Sequence, residues 1–415
     1  MIRVTRRLLL QSVIFLCVAL AARVASAQAP NVGSGPLTGT LADSEPTGGV
    51  LNVGPVHLAP GLVIRELGWD SNVFGEYVDP KDDFVAIVAP DAASFTRLRF
   101  LQLSAYGGAN LNYFKTYTNE QSIGHNVRAR ADVLLSRLRP FVGGGSSRTR
   151  TEPNGEVDVR ADRIEKEFSG GLAFEISRYG QVYVAAYEYQ MRFRDAFKDG
   201  VNLALTLNRD ARQYSAGVRS ELTPFLAMTL AGGYLEDRFE ADPGRNADSS
   251  QLTASFEIAP GAVVTGMVTA GFIDFKPVNP DIRPYRGFVG RASIVYPFLE
   301  LGRLGVEAVR RNEYSYEADD AYFIDNTLTL SYTHHLFGAV DAQIKGSKSL
   351  FDYGFTETSP ARQDQLDLVG GSVGYNLRNR TRISLNYEYT RRRSAQLTER
   401  NYDRRRAFLA WMFAY

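Results

Sequence analysis

Few residues in this chain have the types and spacing for chemistry, and each has a plainer role open to it. Asp70-Ser71-Asn72 sets three oxygen donors in a row, a set that suits Ca²⁺. Asp and Asn at that spacing also fold side-chain turns where a strand ends, and a turn is what this stretch predicts. His334-His335 offers two imidazoles, but neighbouring strand residues point to opposite faces and do not converge on one ion. His57 and His125 have no spaced partner. No distinctive Ser or Asp motif beside a His supplies the nucleophile, base and orienting group that hydrolysis requires. The glycine runs at 143–145, 170–171 and 232–233 are not set between a strand and a helix, as a phosphate-cradling loop is. They read as points of bending or close packing. The expectation is a protein without catalysis, cofactor or metal.

Charge placement is the more informative chemistry. The formal net charge is +1, and all but seven of the 47 Lys and Arg residues are Arg. Arg128, Arg130, Arg192, Arg194, Arg219, Arg291, Arg382 and Arg392 stand at alternate positions, opposite apolar rows. Glu175, Glu188, Glu257, Glu307 and Glu388 take the same parity. Two readings stay open: structural ion pairs across a polar interior, or a wall that binds carboxylates through paired hydrogen bonds. With so small a net charge, only placement can produce selectivity. A channel built this way is expected to favour anions or acidic sugars, with Arg192 and Arg194 prominent.

The elements that position these rows are long alternating strands. Ile123, Val127, Ala129, Ala131 and Val133 oppose Asn126, Arg128, Arg130 and Asp132. Phe168, Leu172, Phe174 and Ile176 oppose Ser169, Gly171, Ala173 and Glu175. Tyr183, Ala185, Tyr187, Tyr189 and Phe193 oppose Glu188, Gln190, Arg192 and Arg194, which predicts the aromatic row outside. Ile383, Leu385, Tyr387 and Tyr389 likewise oppose Arg382, Ser384, Asn386 and Glu388. A period of two over ten or more residues suits a strand crossing a bilayer at a tilt. Short turns alternate with long polar loops along the chain, as in outer-membrane barrels. The spacing predicts an all-β, antiparallel, up-and-down transmembrane barrel of about 18 strands, with 16 the alternative. Trp69, Tyr113, Tyr296, Phe298, Tyr375 and Trp411 are candidates for interfacial girdles.

Both ends of the chain fit export. Arg3, Arg6 and Arg7 precede an apolar run from Leu8 to Ala22, and Ala25-Ser26-Ala27 forms a cleavage site. Residues 1–27 therefore read as a signal peptide, 28–55 as a flexible periplasmic lead-in, and 56–415 as the barrel. Cys17, the single cysteine, falls in the signal, so the mature chain has no disulfide or thiolate site. At the other end, Leu409, Trp411, Phe413 and Tyr415 form one apolar row. This row resembles the C-terminal strand of outer-membrane barrels, whose closing aromatic serves as an assembly signal for the barrel assembly machinery. Tyr415 stands where Phe is usual.

A second resemblance begins at Pro60-Gly61-Leu62 and runs through Trp69-Asp70-Ser71-Asn72-Val73-Phe74. This stretch, with the later Val88-Ala89-Pro90, resembles the opening of the β-barrel porin type 2 family. The resemblance covers residues 56–415. It implies a barrel in the Gram-negative outer membrane, sometimes associated with exopolysaccharide secretion, and it names no substrate.

The expected function is a porin-like channel for hydrophilic solutes or a secreted polysaccharide, with both termini periplasmic. The alternative is a structural or adhesive barrel with a closed lumen, whose long loops bind surface partners. Expected partners are outer-membrane lipid and lipopolysaccharide, the assembly machinery, and polysaccharide or small anionic solutes. Arg391-Arg392-Arg393 and Arg404-Arg405-Arg406 look like nucleic-acid patches, but on an exported barrel they meet lipopolysaccharide or line the pore mouth. No nucleic-acid partner is expected.

Overall fold

Alternating sequence becomes strand after strand, each paired antiparallel with its chain neighbour. The computed structural model describes residues 51–414 except 195, 260–261, 318, 357–360 and 378–380. The signal peptide, the lead-in to residue 50, the Pro260-Gly261 turn and Tyr415 lie outside the described residues.

The barrel begins with β1 (Val56–Asp70), β2 (Asp83–Arg97), β3 (Leu101–Phe114), β4 (Ser122–Val133), β5 (Leu138–Thr151) and β6 (Ala161–Ser177). It continues through β7 (Gly180–Arg194), β8 (Arg209–Thr223), β9 (Leu226–Phe239), β10 (Ala247–Ile258), β11 (Thr265–Pro277) and β12 (Tyr285–Phe298). The last third is β13 (Gly302–Tyr314), β14 (Tyr322–Phe337), β15 (Val340–Asp352), β16 (Gln363–Leu377), β17 (Thr381–Ser394) and β18 (Tyr402–Ala414). β18 pairs with β1 from Gly61↔Ala414 to Asp70↔Arg406, which closes an 18-strand antiparallel barrel. The register slips between Ile64 and Leu67, a bulge that bends β1 at the seam. A short strand, Leu51–Val53, folds back on the start of β1.

The strands run 12 to 17 residues, longer than the roughly 9–11 a tilted strand needs to cross a bilayer. The excess lies at the long-loop end, where the outward rows change from apolar to charged. There, neighbouring strands exchange outward ion pairs: Arg192–Asp210, Arg238–Asp248 and Arg286–Asp274, each at 2.7 Å. Below this belt the outer face is exposed and apolar, with Phe168, Val184, Leu252, Leu385 and their neighbours. Trp69 and Tyr113 stand exposed near the long-loop end, and Tyr296, Phe298 and Tyr375 near the short-turn end. Two aromatic rows thus bound the apolar band.

One strand turns opposite to the sequence expectation. In β7, Tyr183, Ala185, Tyr187, Tyr189 and Phe193 face inward, because they pair across with Ala173, Gly171, Ser169, Glu167 and Arg163 of β6. Phe168, 58% exposed, lies opposite Glu188, whereas Tyr189 is 0% exposed. The aromatic row avoids water, as its composition requires, but it does so inside the barrel. Residues 196–208 carry a helix, Leu203–Leu207, capped by Asn202, whose Oδ1 accepts from the Ala204 amide at 3.0 Å. Leu203 and Leu207 pack with Tyr189, Phe193, Leu235, Phe239, Phe275 and Tyr314 in one apolar cluster at the long-loop end. Each such Leu or Phe contributes about 1.5–3 kcal/mol on full burial.

Candidate functional site: the lumen and its mouth

The mouth is built by residues 152–160, between β5 and β6, which lie against the inner wall. An Asx turn shapes this segment: Asn154 Oδ1 accepts from the amides of Glu156 (3.0 Å) and Val157 (2.9 Å). Arg392 of β17, fully buried, donates from Nη1 to the carbonyls of Glu156 (2.7 Å) and Gly155 (3.3 Å). It also pairs with Asp158 at 3.5 Å and Asp364 at 3.4 Å. Arg404 of β18 holds Glu152 at 2.7 Å and donates from Nε to both oxygens of Asp70 at 3.0 Å. Lys198 holds Asp158 from the far side at 2.6 Å. Val157 completes the anchoring by burial in the apolar cluster.

A second segment, between β13 and β14, meets the first. Glu156 accepts from the Ser315 hydroxyl at 2.6 Å and the Tyr316 amide at 3.2 Å. The Tyr316 hydroxyl donates to Asp199 at 2.7 Å, and that of Tyr314 to Asp237 at 2.9 Å. Burial pushes the Glu156 carboxyl up to about 7; the Ser315 and Tyr316 hydrogen bonds oppose this and the charge of Glu317 adds to it. Burial also acts to raise Glu317, but hydrogen bonds from Arg362 and the charge of Arg400 hold it below the usual carboxylate range. The mouth is therefore occupied by the protein's own loops, apolar on one side and ion-paired on the other.

Below the mouth, inward arginines stand in pairs. Arg128 contacts Glu167 at 2.9 Å, Arg130 contacts Asp132 at 2.8 Å, and Arg219 contacts Glu257 at 2.7 Å. Arg382 contacts Asp341 at 2.6 Å, and Glu388 is shared by Lys345 and Arg406. Gly145 lets the first pair close, since a Cβ there would lie 2.8 Å from Arg128 Cγ and 2.9 Å from a Glu167 oxygen. Arg291 and Glu307 share the inward parity and have no ion pair among the described residues. Across the lumen, β14 and β15 present hydroxyls instead: Thr327 bonds Ser349 and Thr329 bonds Ser347, both at 2.7 Å.

The expected pore-lining set is thus divided. Arg128, Arg130, Arg219, Arg291, Arg382 and Glu388 face the lumen, and Arg392 faces it at the mouth. Glu188, Arg192 and Arg194 do not. They point outward with Phe168, Ile164 and Asp162, their register partners on β6. This corrects the sequence expectation: β7 carries its aromatic row inside, so its charged row is turned out. Arg192 reaches Asp210 and, at 3.1 Å, Glu240 above the apolar band.

Leu409, Trp411 and Phe413 share the outward row of β18, pairing with Leu67, Ile64 and Leu62 of β1. His334 lies beside Tyr332, whereas His335 meets Arg303 on the opposite face. Asp70 accepts from the Asn72 amide at 3.1 Å, the turn expected there, while its oxygens also hold Arg404. Sequence reasoning missed Glu152, Glu156 and Asp158. Their even spacing in an otherwise Gly- and Pro-containing loop was the available signal.

A closed barrel of 18 strands, apolar outside, polar within and narrowed by its own loops, defines an outer-membrane barrel of the porin class. The chain belongs to the family described as Putative beta-barrel porin 2, whose model matches residues 46–413. No curated protein matches the sequence. Among solved structures, Pseudomonas aeruginosa OpdK with vanillate aligns at TM-score 0.50 and 12% identity, over 86% of this chain and 99% of that one. OccAB3 of Acinetobacter baumannii aligns at TM-score 0.48 and 10% identity, with 86% and 99% covered. A BenF-like porin from Pseudomonas fluorescens Pf-5 gives the same four values. These likenesses concern the fold.

Proposed function

We propose that the protein is a channel for small hydrophilic solutes, oriented with its long loops outside the cell and both termini in the periplasm. The observation that carries this reading is the inner wall, where paired charges and hydroxyl rows face the barrel axis in place of a packed core. Most inward arginines are matched by carboxylates, and Arg192 and Arg194 stand outside, so discrimination between anions and cations is weak. The hydroxyls of β14 and β15 also suit a sugar, which keeps a secreted polysaccharide as a second cargo class. In a planar bilayer, folded wild-type protein is expected to give discrete conductance steps with a reversal potential near zero under a salt gradient. Well-folded protein without conductance refutes the reading. The loops packed in the mouth favour a second reading in that case, a closed barrel with a structural or adhesive role.

A further inference from the structure

The two arginine runs resolve into two opposed sets, and the outward set has no role in the channel. Strand alternation sends Arg392, Arg404 and Arg406 inward, and it sends Arg391, Arg393 and Arg405 outward on neighbouring strands. Register places Arg391 opposite Asp403 and Arg405 opposite Tyr389. Asp403 is the hub: Arg393 donates to its two oxygens at 3.0 and 2.9 Å, and the Tyr389 hydroxyl donates at 2.7 Å. Arg391 and Arg405 are exposed, with no ion pair among the described residues. Elsewhere on the outer belt several arginines reach a carboxylate on the neighbouring strand, as in Arg148–Asp162, Arg192–Asp210 and Arg238–Asp248. On this patch three guanidinium groups stand around Asp403 and, among the described residues, only Arg393 is ion-paired to it. On the neighbouring strand Asp367 lies opposite both Arg391 and Lys348.

Directly beneath lies an exposed apolar strip. Tyr387, Leu385 and Leu409 continue the same outward rows toward the short-turn end. A cationic cluster above an apolar strip fits an amphiphile with an anionic head. Guanidinium groups bind phosphate oxygens in paired hydrogen bonds; Arg391 and Arg393 stand two residues apart on one strand, roughly 7 Å, and Arg405 is the diagonal neighbour of Arg391 at about 7–8 Å. We propose that this face of β17 and β18 docks the phosphorylated glycolipid of the outer leaflet. Its phosphates sit on Arg391, Arg393 and Arg405, and its acyl chains lie along Tyr387, Leu385 and Leu409. The inference rests on the proposed orientation of the channel, with the long-loop end outside.

The test uses the full chain purified in detergent, titrated with lipid A, with dephosphorylated lipid A and with phosphatidylglycerol. Bound lipid is counted by native mass spectrometry. Lipid A is expected to bind at least tenfold more tightly than either alternative. Arg391→Gln with Arg393→Gln and Arg405→Gln is expected to lower its affinity at least tenfold, while Arg148→Gln with Arg286→Gln leaves it unchanged. Equal binding of the dephosphorylated form overturns the proposal, as does an unaffected triple variant. Phosphatidylglycerol binding as tightly as lipid A also overturns it and points to the inner leaflet. Arg391→Gln and Arg405→Gln singly, which break no ion pair, give the same reading should the triple variant fail to fold. Conductance is measured separately, so failure of the channel reading is not confused with failure of the lipid site.

Discussion

Glu156 is the residue at which the mouth responds to solution conditions. Its carboxyl is fully buried and raised to about 7, so the docked loop holds its proton more tightly than a released loop does. Docking is therefore favoured in full below the ordinary carboxylate range and loses that contribution as pH rises through about 7. Channel conductance or open time is expected to increase between pH 5.5 and 8. Glu156→Gln, which keeps an acceptor for Ser315, is expected to flatten that dependence; an unchanged pH profile in the variant counts against the assignment. Arg392 sets the other anchor. Removing one member of a buried ion pair costs about 3–5 kcal/mol. Arg392→Met is expected to release residues 152–160, raise single-channel conductance and lower the unfolding temperature, all read on the same preparation.

At the scale of the element, β7 separates two meanings of hydrophobicity. Tyr189 and Phe193 leave water by packing on a folded-in loop inside the barrel, and Tyr183 by packing with Phe141 and Ala231 of the wall, while Val184 meets lipid. A cation on the lipid face near the bilayer midplane costs about 2–4 kcal/mol. Val184→Arg is therefore expected to reduce assembly into the outer membrane, as are Trp411→Asp and Phe413→Asp on the closing strand. Arg192→Glu with Arg194→Glu is expected to leave the reversal potential unchanged, because both side chains lie outside the lumen. A shift in that potential refutes the outward placement of the charged row of β7. The alternation itself was legible in each strand. Its sign in β7 was not, since a row of Tyr and Phe is equally dry against lipid or against a folded-in loop.

At the scale of the whole molecule, the paired wall predicts a channel whose selectivity is set by balance. Arg219→Gln frees the Glu257 carboxylate and is expected to move the reversal potential toward cations, whereas Glu257→Gln moves it toward anions. Equal and unshifted values in both variants set aside a role for this pair in conduction. The sequence alone carried the barrel, a count of about 18 strands with 16 left open, its closing row of Leu409, Trp411 and Phe413, and the inward parity of Arg128, Arg219, Arg382 and Glu388. These follow from a period of two and from alternating loop lengths, which are local properties of the chain. Only the tertiary structure decided that residues 152–160 lie in the mouth, that Arg392 and Arg404 hold them there, and that β7 is turned. The first two outcomes depend on contacts between residues more than 200 positions apart, Arg392 with Glu156 and Arg404 with Glu152. No local pattern encodes such contacts, because they exist only once β18 has closed against β1 and brought the two ends of the chain together.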